Sequence, residues 1–309
     1  MSYDLTTPEW ALYLKHLRES MSENTVKAYV SQLRRFSVWC TAEDVSSCPA
    51  EPYTVARYVA YLRDTGVCYG TIEQSVAAIH TAHAVIGAAD PTKDQTVRTA
   101  LRAASRSLGR AQRPKEALTI DLVEKMLAVI DCEGLINLRD RALLAVGFMS
   151  ACRRSELSAL RVSDVTYSHD VAVLHVRRSK TDPTGIGMDK CLYHTQRVDA
   201  IKELERWLKA ACMPLDTPLF PQIRRGGHIQ VSALSGHSIA AIVQARAAAA
   251  GLDMDVGGHS LRRGFVTSAL DKGAAERSIM HQTGHRSVVV LRKYQDLRNI
   301  RMDNAAAIF

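Results

Sequence analysis

A short polar segment divides the chain into two stretches with different apolar patterns. From residue 109 to residue 119 it reads Gly-Arg-Ala-Gln-Arg-Pro-Lys-Glu-Ala-Leu-Thr. A turn-forming glycine, a proline and a run of polar side chains are typical of an extended linker. With 309 residues, 47% of them hydrophobic, the chain is long enough for two domains that each have a core. We therefore predict a first domain over residues 1–109, a linker over residues 110–118 and a second domain over residues 119–309.

The first stretch has the apolar spacing of a bundle of helices. Ser22 or Asn24 can cap a helix that continues past Phe36 with apolar residues every three or four positions. Pro52 is suited to the first turn of a second helix, and Gly66 to its end. Two more helices are predicted between Gly66 and the linker.

The second stretch combines helices with a short β-hairpin. A strongly apolar helix is predicted from residue 139 to residue 151, and it should be buried. Residues 171–176 read Val-Ala-Val-Leu-His-Val, and residues 188–194 can pair with them across a turn that contains two glycines. Helical spacing returns from about residue 195 onward. The predicted fold class is mainly α with a small antiparallel β-sheet, in two domains.

Charge and cysteine content narrow the possible functions. A formal net charge of +8 and a pI of about 9.2 fit an anionic partner. The seven cysteines include no Cys-x-x-Cys pair, which argues against a disulfide framework and a zinc knuckle. His281 and His285 have the spacing of two zinc ligands, but no glutamate lies between them, so we predict no metal site. The absence of a long apolar run and of a secretory signal predicts a cytoplasmic protein.

Positive charge is concentrated just before the predicted linker. No acidic residue occurs between Asp94 and Glu116, while an arginine stripe of four residues recurs at every fourth position: Arg98, Arg102, Arg106 and Arg110. On one helix these side chains would share a face and repel one another. A solvated helix face is the ordinary explanation of such a pattern. Because no carboxylate is interleaved, a phosphate backbone as counterion explains the stripe better.

Five residues of the second stretch occur in an order suited to phosphoryl transfer without a metal. They are Arg153, His259, Arg262, His285 and Tyr294. Two guanidinium groups can clamp the oxygens of a phosphodiester with paired hydrogen bonds, and a tyrosine can attack the phosphorus. His259 and Arg262 are three positions apart on a predicted helix, so they can address the same phosphate.

These residues lie within motifs that resemble a known family. In chain order the motifs are Arg153–Glu156, Arg178–Thr181, His259–Arg262, Gly284-His285 and Tyr294, with Ser22–Thr25 and Ala50–Pro52 in the first stretch. Together they resemble the tyrosine site-specific recombinases of the phage integrase family, most closely its simple two-domain members. The resemblance covers nearly the whole chain. It implies a site-specific DNA recombinase with a helical, SAM-like core-binding domain followed by a catalytic domain.

The resemblance also implies a role for each motif residue. Tyr294 would be the nucleophile that forms a 3′-phosphotyrosyl link, and Lys180 the general acid, with Lys190 as the alternative acid. An unperturbed phenol is only about one part in a thousand ionised at pH 7, so nearby cations and a proton acceptor must assist it. The residues implied to assist are Arg153, His259, Arg262 and His285, with Glu156 supporting the site from behind.

The implied partners are DNA and further copies of the chain. Double-stranded DNA would be clamped at a target site with inverted-repeat arms, by a dimer on one site and a cyclic tetramer on two sites. The apolar tail, residues 305–309, would dock into a neighbouring subunit. No cofactor would be required, neither ATP nor a metal. The residues implied to contact DNA bases are Lys27, Thr71, Gln74 and His237.

Two other functions remain open from the sequence. A type IB topoisomerase uses the same residue types but relaxes supercoils without a partner site. A non-catalytic DNA-binding protein could keep the same scaffold, although the complete set of catalytic residue types argues against it.

The arginine stripe predicts a salt effect of defined size. If each of its four arginines neutralises one phosphate, changing all four to Ala should reduce the slope of log K against log salt concentration by about 3 to 4 units. The reduction should be the same for unrelated DNA sequences, because phosphate contacts carry no base information. Binding titrations over a range of salt concentrations measure the slope, and an unchanged slope would show that the stripe is an ordinary solvated surface.

Overall fold

The computed structural model describes residues 8–110, 115–179, 185–285 and 287. The chain forms two compact units, residues 1–113 and residues 114–309, each with its own core. The fold class predicted from the sequence, mainly α with a small antiparallel sheet, is confirmed. In the described part of the chain, no helix combines the length and apolar character needed to cross a membrane.

The first unit consists of helices. They are α1 (Pro8–Ser20), α2 (Glu23–Ala42), α3 (Pro52–Asp64), α4 (Tyr69–Val85) and α5 (Gln95–Leu108), with a 3-10 turn at Pro91–Lys93. The predicted start signals act as expected: the hydroxyl of Ser22 accepts a hydrogen bond from the Thr25 backbone N–H, and Pro52 occupies the first turn of α3.

Polar groups in the core of this unit are hydrogen-bonded. The Ser75 hydroxyl of α4 donates to Gln32 Oε1 of α2 at 2.7 Å. His83 is fully buried, and its Nε2 accepts from the Ala50 backbone N–H at 2.8 Å. Burial lowers the pKa of His83, so this ring is neutral at neutral pH and joins α4 to the segment before α3.

The arginine stripe is shorter on the helix than its spacing predicts. Arg98, Arg102 and Arg106 are exposed on α5, but the helix ends at Leu108 and Gly109 adopts a positive φ of 71°. Arg110 therefore lies beyond the helix. Its guanidinium stacks on the ring of Tyr69, 5.2 Å from the centroid, and its Nε donates to the Ser105 hydroxyl.

The second unit wraps helices around two small sheets. Its helices are α6 (Ile120–Ala128), α7 (Leu135–Met149), α8 (Arg154–Ala159), α9 (Ala200–Ala211), α10 (Gly236–Ala249), α11 (Ser260–Asp271) and α12 (Glu276–Thr283). Its strands are β1 (Val165–Ser168), β2 (Val171–Val176), β3 (Met188–Tyr193), β4 (Pro221–Arg224) and β5 (His228–Ala233). The apolar helix α7 is buried as predicted, with the side chains of residues 142–146 fully inaccessible.

The β-hairpin predicted from the sequence is confirmed and extended. Strands β2 and β3 pair antiparallel with Ala172 opposite Leu192, and β1 adds a third strand on the other side of β2. A second, two-stranded sheet of β4 and β5 was not predicted. These short strands lack a clear alternation of apolar and polar residues, which is the signal that identifies a half-buried strand.

The last part of the predicted linker packs into the second unit. The backbone N–H of Glu116 donates to the Asp255 carbonyl, and that of Leu118 to the Ser260 carbonyl at 3.0 Å. The Leu118 side chain is fully buried in the core. Gly264 of α11 allows this approach, because a Cβ at residue 264 would lie 1.6 Å from the Leu118 carbonyl oxygen.

Gly264→Ala should strongly destabilise the second unit. In an exposed helix this change would stabilise by about 1 kcal/mol, but here the added methyl group collides with backbone atoms and should cost at least about 1–3 kcal/mol. Thermal unfolding measures the difference. Gly257→Ala is the matched control, because a Cβ there meets nothing closer than 3.8 Å. Equal unfolding temperatures for the two variants would contradict the close approach of Leu118 to α11.

Candidate active site

The site begins where α8 starts. Arg153 caps α8: its backbone N–H donates to Glu156 Oε2 at 2.9 Å, and its Nη1 donates to Glu156 Oε1 at 2.6 Å. Ser179, beside the predicted acid Lys180, bonds to both, at 2.7 Å from Arg153 Nη1 and 2.9 Å from Glu156 Oε1. The guanidinium of Arg153 is therefore held in one orientation before any substrate is bound.

Glu156 is a buried, ionised carboxylate. Its side chain is almost inaccessible, and Lys190 Nζ lies 3.9 Å from its Oε2. Burial would raise the pKa of Glu156, but the charge of Lys190 and the hydrogen bonds from Arg153 together hold the pKa below its ordinary value. Glu156 thus places a negative charge that orients Arg153, and its support of catalysis stays a prediction.

Three consecutive carbonyl groups at the end of α7 organise the site. The Met149 carbonyl accepts from Gln282 Nε2 at 2.8 Å, the Ser150 carbonyl from Lys190 Nζ at 3.0 Å, and the Ala151 carbonyl from Arg262 Nη1 at 2.9 Å. Ala151 has a left-handed backbone with φ 49°. The last carbonyls of a helix have no partner within it, so side chains from α11, α12 and β3 are drawn to this end.

His259 and Arg262 enter the site from α11. His259 stands at the N-cap position and is exposed, whereas Arg262 is buried. Desolvation lowers the pKa of His259, and the charges of Arg154, Arg262 and Arg153 lower it further. The ring is therefore neutral at neutral pH and able to accept a proton.

His285 follows α12, where Gly284 adopts a positive φ of 71° and ends the helix. Desolvation and the charges of Arg262, Arg153 and Lys190 lower the pKa of His285 to about 4. The Thr283 hydroxyl donates its one hydrogen to the Ile279 carbonyl at 2.7 Å, so at 3.0 Å from His285 it accepts from Nδ1–H. This assigns the Nδ1–H tautomer and leaves Nε2 as an acceptor.

The structure thus brings together Arg153, Glu156, His259, Arg262 and His285. Lys180, Tyr294 and the tail at residues 305–309 lie outside the described residues. Lys190, the alternative acid, is buried rather than exposed at the hairpin. Within the described ranges, no three His, Cys, Asp or Glu side chains come together as metal ligands.

The residues predicted to read bases lie on the surface of their own units. Gln74 of α4 is exposed and Thr71 is partly exposed, with its hydroxyl 3.1 Å from Cys68 Sγ. Lys27 of α2 is exposed and forms an ion pair with Glu23, four residues earlier. His237 is exposed in the first turn of α10. Each remains a predicted DNA contact.

Arg154 was not predicted as a site residue from the sequence. This exposed side chain packs against two glycines that flank the site: a Cβ on Gly258 would lie 3.0 Å from Arg154 Cβ and Cδ, and one on Gly236 3.4 Å from Cδ. Its charge acts on His259. The pair Arg153-Arg154 was visible in the sequence, but its helical position could not reveal which loops the second arginine would meet.

The environment of His285 predicts an unusual titration. His285 should stay neutral until the pH falls to about 4. A hydrogen bond to Asp199 raises the pKa of His194, so His194 should gain its proton at a higher pH than His285 does. Long-range proton–nitrogen NMR spectra of the free protein report both charge and tautomer. We expect the Nδ1–H form of His285 at pH 7. Protonation of His285 above pH 6, or a neutral ring with hydrogen on Nε2, would contradict this arrangement.

Known proteins match both units of the chain. The phage integrase family model matches residues 116–300, and the phage integrase N-terminal SAM-like domain model matches residues 10–86. The integrase/recombinase xerD homolog of Selenomonas ruminantium is 35% identical over 297 residues, covering 94% of this chain and 86% of that protein. Recombinase cre of Escherichia phage P1 is 27% identical over 312 residues, covering 94% and 88%.

Solved structures agree on the fold. The XerH site-specific recombinase bound to palindromic difH substrate has a TM-score of 0.68 at 18% identity, covering 96% of this chain and 82% of that chain. A lambda integrase dimer bound to a COC′ core site has a TM-score of 0.62 at 15% identity, covering 93% of each chain. The motifs resemble the simple two-domain members of the family, and identity over the aligned residues is higher with the xerD homolog than with recombinase cre. The chain belongs to the phage integrase family and is a tyrosine recombinase, an enzyme that breaks and rejoins DNA at specific sites.

Proposed function

We propose that this recombinase exchanges strands between two duplexes with Tyr294 as the nucleophile. The oxygen of Tyr294 bonds to the scissile phosphorus while the bond from phosphorus to the 5′ oxygen breaks, which leaves a 3′-phosphotyrosyl link and a free 5′ hydroxyl. The 5′ hydroxyl of the partner duplex then reverses the step. The covalent link conserves the bond energy, so no ATP is consumed. The observation that carries the proposal is the convergence of Arg153, Arg262 and two neutral histidines on one site.

Each described residue has a part suited to its environment. Arg153 and Arg262 are fixed by Glu156 and by the Ala151 carbonyl, so their donors are oriented for the developing charge on the phosphate oxygens. His259 accepts the phenol proton, since the pKa of about 4 makes His285 a weak base. Before the reaction, Nε2 of His285 accepts the hydrogen bond of the phenol and orients it, and the phenol turns its one hydrogen to His259 when it attacks.

Lys180 is the proposed general acid. It donates a proton to the departing 5′ oxygen, which balances the proton that leaves the phenol. Ser179, the residue before it, is hydrogen-bonded to both Arg153 and Glu156, and this contact anchors the start of the segment that carries the acid.

The proposed partners follow from the relatives. XerH is described on a palindromic substrate and lambda integrase as a dimer on a core site. A two-fold arrangement of subunits requires inverted half-sites, so we propose a dimer on an inverted repeat and a cyclic tetramer on two such sites. We place the protein in the cytoplasm, at the DNA of a prokaryotic, phage or plasmid host. A type IB topoisomerase is not favoured, because the relatives are named integrases and recombinases.

Tyr294→Phe should abolish the covalent step without preventing binding. With a nicked suicide substrate on a denaturing gel, adduct formation should fall by at least about a thousandfold, because the variant lacks the attacking oxygen. Half-site binding in gel shifts should stay within about threefold of the wild type, since one hydroxyl among many contacts is lost. Tyr193→Phe, at an exposed tyrosine in β3, is the matched control and should form adduct normally. An adduct in Tyr294→Phe would show that another residue is the nucleophile.

A further inference from the structure

Lys190 is a buried cation in the middle of β3. Its side chain is 1% exposed, and in the strand pairing it stands opposite Leu174. A buried ammonium loses its hydration, and desolvation lowers the pKa of Lys190. Such a group persists in a core only where protein groups replace the lost water, so its partners reveal what it does.

Those partners are the ends of two helices. Nζ donates to the Ser150 carbonyl at the end of α7 at 3.0 Å and to the Gln282 carbonyl in the last turn of α12 at 2.9 Å. Both carbonyls lie where the helix dipole is negative, which favours a cation. Glu156 Oε2, at 3.9 Å, completes the neutralisation.

The two helix ends lead directly to catalytic groups. Ser150 precedes Arg153 by three residues, and Gln282 precedes His285 by three residues. We call this connection between the ends of α7 and α12 the joint. The side chain of Gln282 strengthens it, because its Nε2 donates to the Met149 carbonyl at 2.8 Å and to the Cys191 carbonyl of β3 at 2.9 Å. Neither Lys190 nor Gln282 needs to touch DNA to influence the geometry of the site.

We infer that Lys190 is a positioning residue that sets the distance between Arg153 and His285 by tying the end of α7 to the end of α12, and that it is not the proton donor to the leaving group. The inference rests on the proposed roles of those two residues. To act as the acid, Lys190 would have to leave both carbonyls and carry its charge out of the core. Small displacements of positioned groups reduce catalysis by about a hundredfold, so the joint should matter for rate more than for binding.

A substrate with a sulfur leaving group separates positioning from acid catalysis. When sulfur replaces the bridging 5′ oxygen of the scissile phosphate, the departing thiolate needs no proton. Lys190→Met removes the charge and keeps an unbranched side chain that is one atom shorter. It should slow adduct formation by about a hundredfold on the oxygen and the sulfur substrate alike, with half-site binding within about threefold of the wild type. Lys180→Met should form adduct slowly on the oxygen substrate, and the sulfur substrate should restore its rate of adduct formation.

The outcomes are distinct. Restoration of Lys190→Met by sulfur, or a wild-type rate on the oxygen substrate, would overturn the inference. Failure of sulfur to restore Lys180→Met would instead remove Lys180 from the proposed mechanism and leave the inference on Lys190 intact. The charge of Lys190, together with those of Arg262, Arg153 and Glu156, acts on His285, so Lys190→Met should also raise the pKa of His285 in NMR titrations. An unchanged His285 pKa would count against the joint.

Two further variants protect the test against a folding defect. Lys209→Met removes an exposed lysine from α9 and should leave cleavage unchanged. If Lys190→Met does not fold, Gln282→Ala decides: it loosens the same joint while keeping the backbone carbonyl that Lys190 binds. Its adduct formation should fall by about tenfold on both substrates, because the helix end moves without losing a proton donor. Restoration by sulfur, or an undiminished rate, would overturn the inference.

Discussion

The end of α7 supplies three consecutive carbonyl groups to side chains from three other elements, and the active site is assembled on these bonds. One carbonyl accepts a hydrogen bond from each of Gln282, Lys190 and Arg262. The positions of α12, β3 and α11 are therefore all fixed relative to a single buried helix. The helix is close to its neighbours: a Cβ on Gly147 would lie 2.9 Å from a side-chain carbon of Leu261. The predicted site residues, although far apart in sequence, are thus positioned relative to one rigid helix.

The charges of the site favour the binding of an anionic phosphodiester. Arg153 and Lys190 lie beside one buried carboxylate, that of Glu156, and Arg262 adds a third positive charge that acts on His285, so positive charge is in excess. Their mutual repulsion is tolerated because the carboxylate and the carbonyl oxygens fix each cation in place. Desolvation, reinforced by this positive charge, lowers the pKa of both histidines, which leaves them neutral and able to accept hydrogen bonds or protons beside an anionic substrate.

Local signals in the sequence predicted the elements that local interactions determine. Ser22 and Pro52 start helices as expected, and the β2–β3 hairpin forms where β-branched residues and glycines predicted it. Ordered motifs predicted the site residues, although nothing in a motif describes their contacts. Lys190 was considered only as an alternative acid, because the burial of a lysine depends on carbonyls contributed from residues 150 and 282. Leu118 was assigned to a linker, since one buried residue in irregular chain has no periodicity to reveal it.

The contact between Leu118 and Gly264 has a consequence for how such proteins can be reassembled in evolution. Gly264 is two residues beyond Arg262, so the segment that enters the second unit lies against the helix that carries a predicted catalytic arginine. An N-terminal domain acquired from a relative would have to be joined ahead of Glu116, leaving residues 116–118 with the catalytic unit that they complete. The modular boundary is therefore set by packing beneath α11 and not by the proline and polar residues that mark it in the sequence.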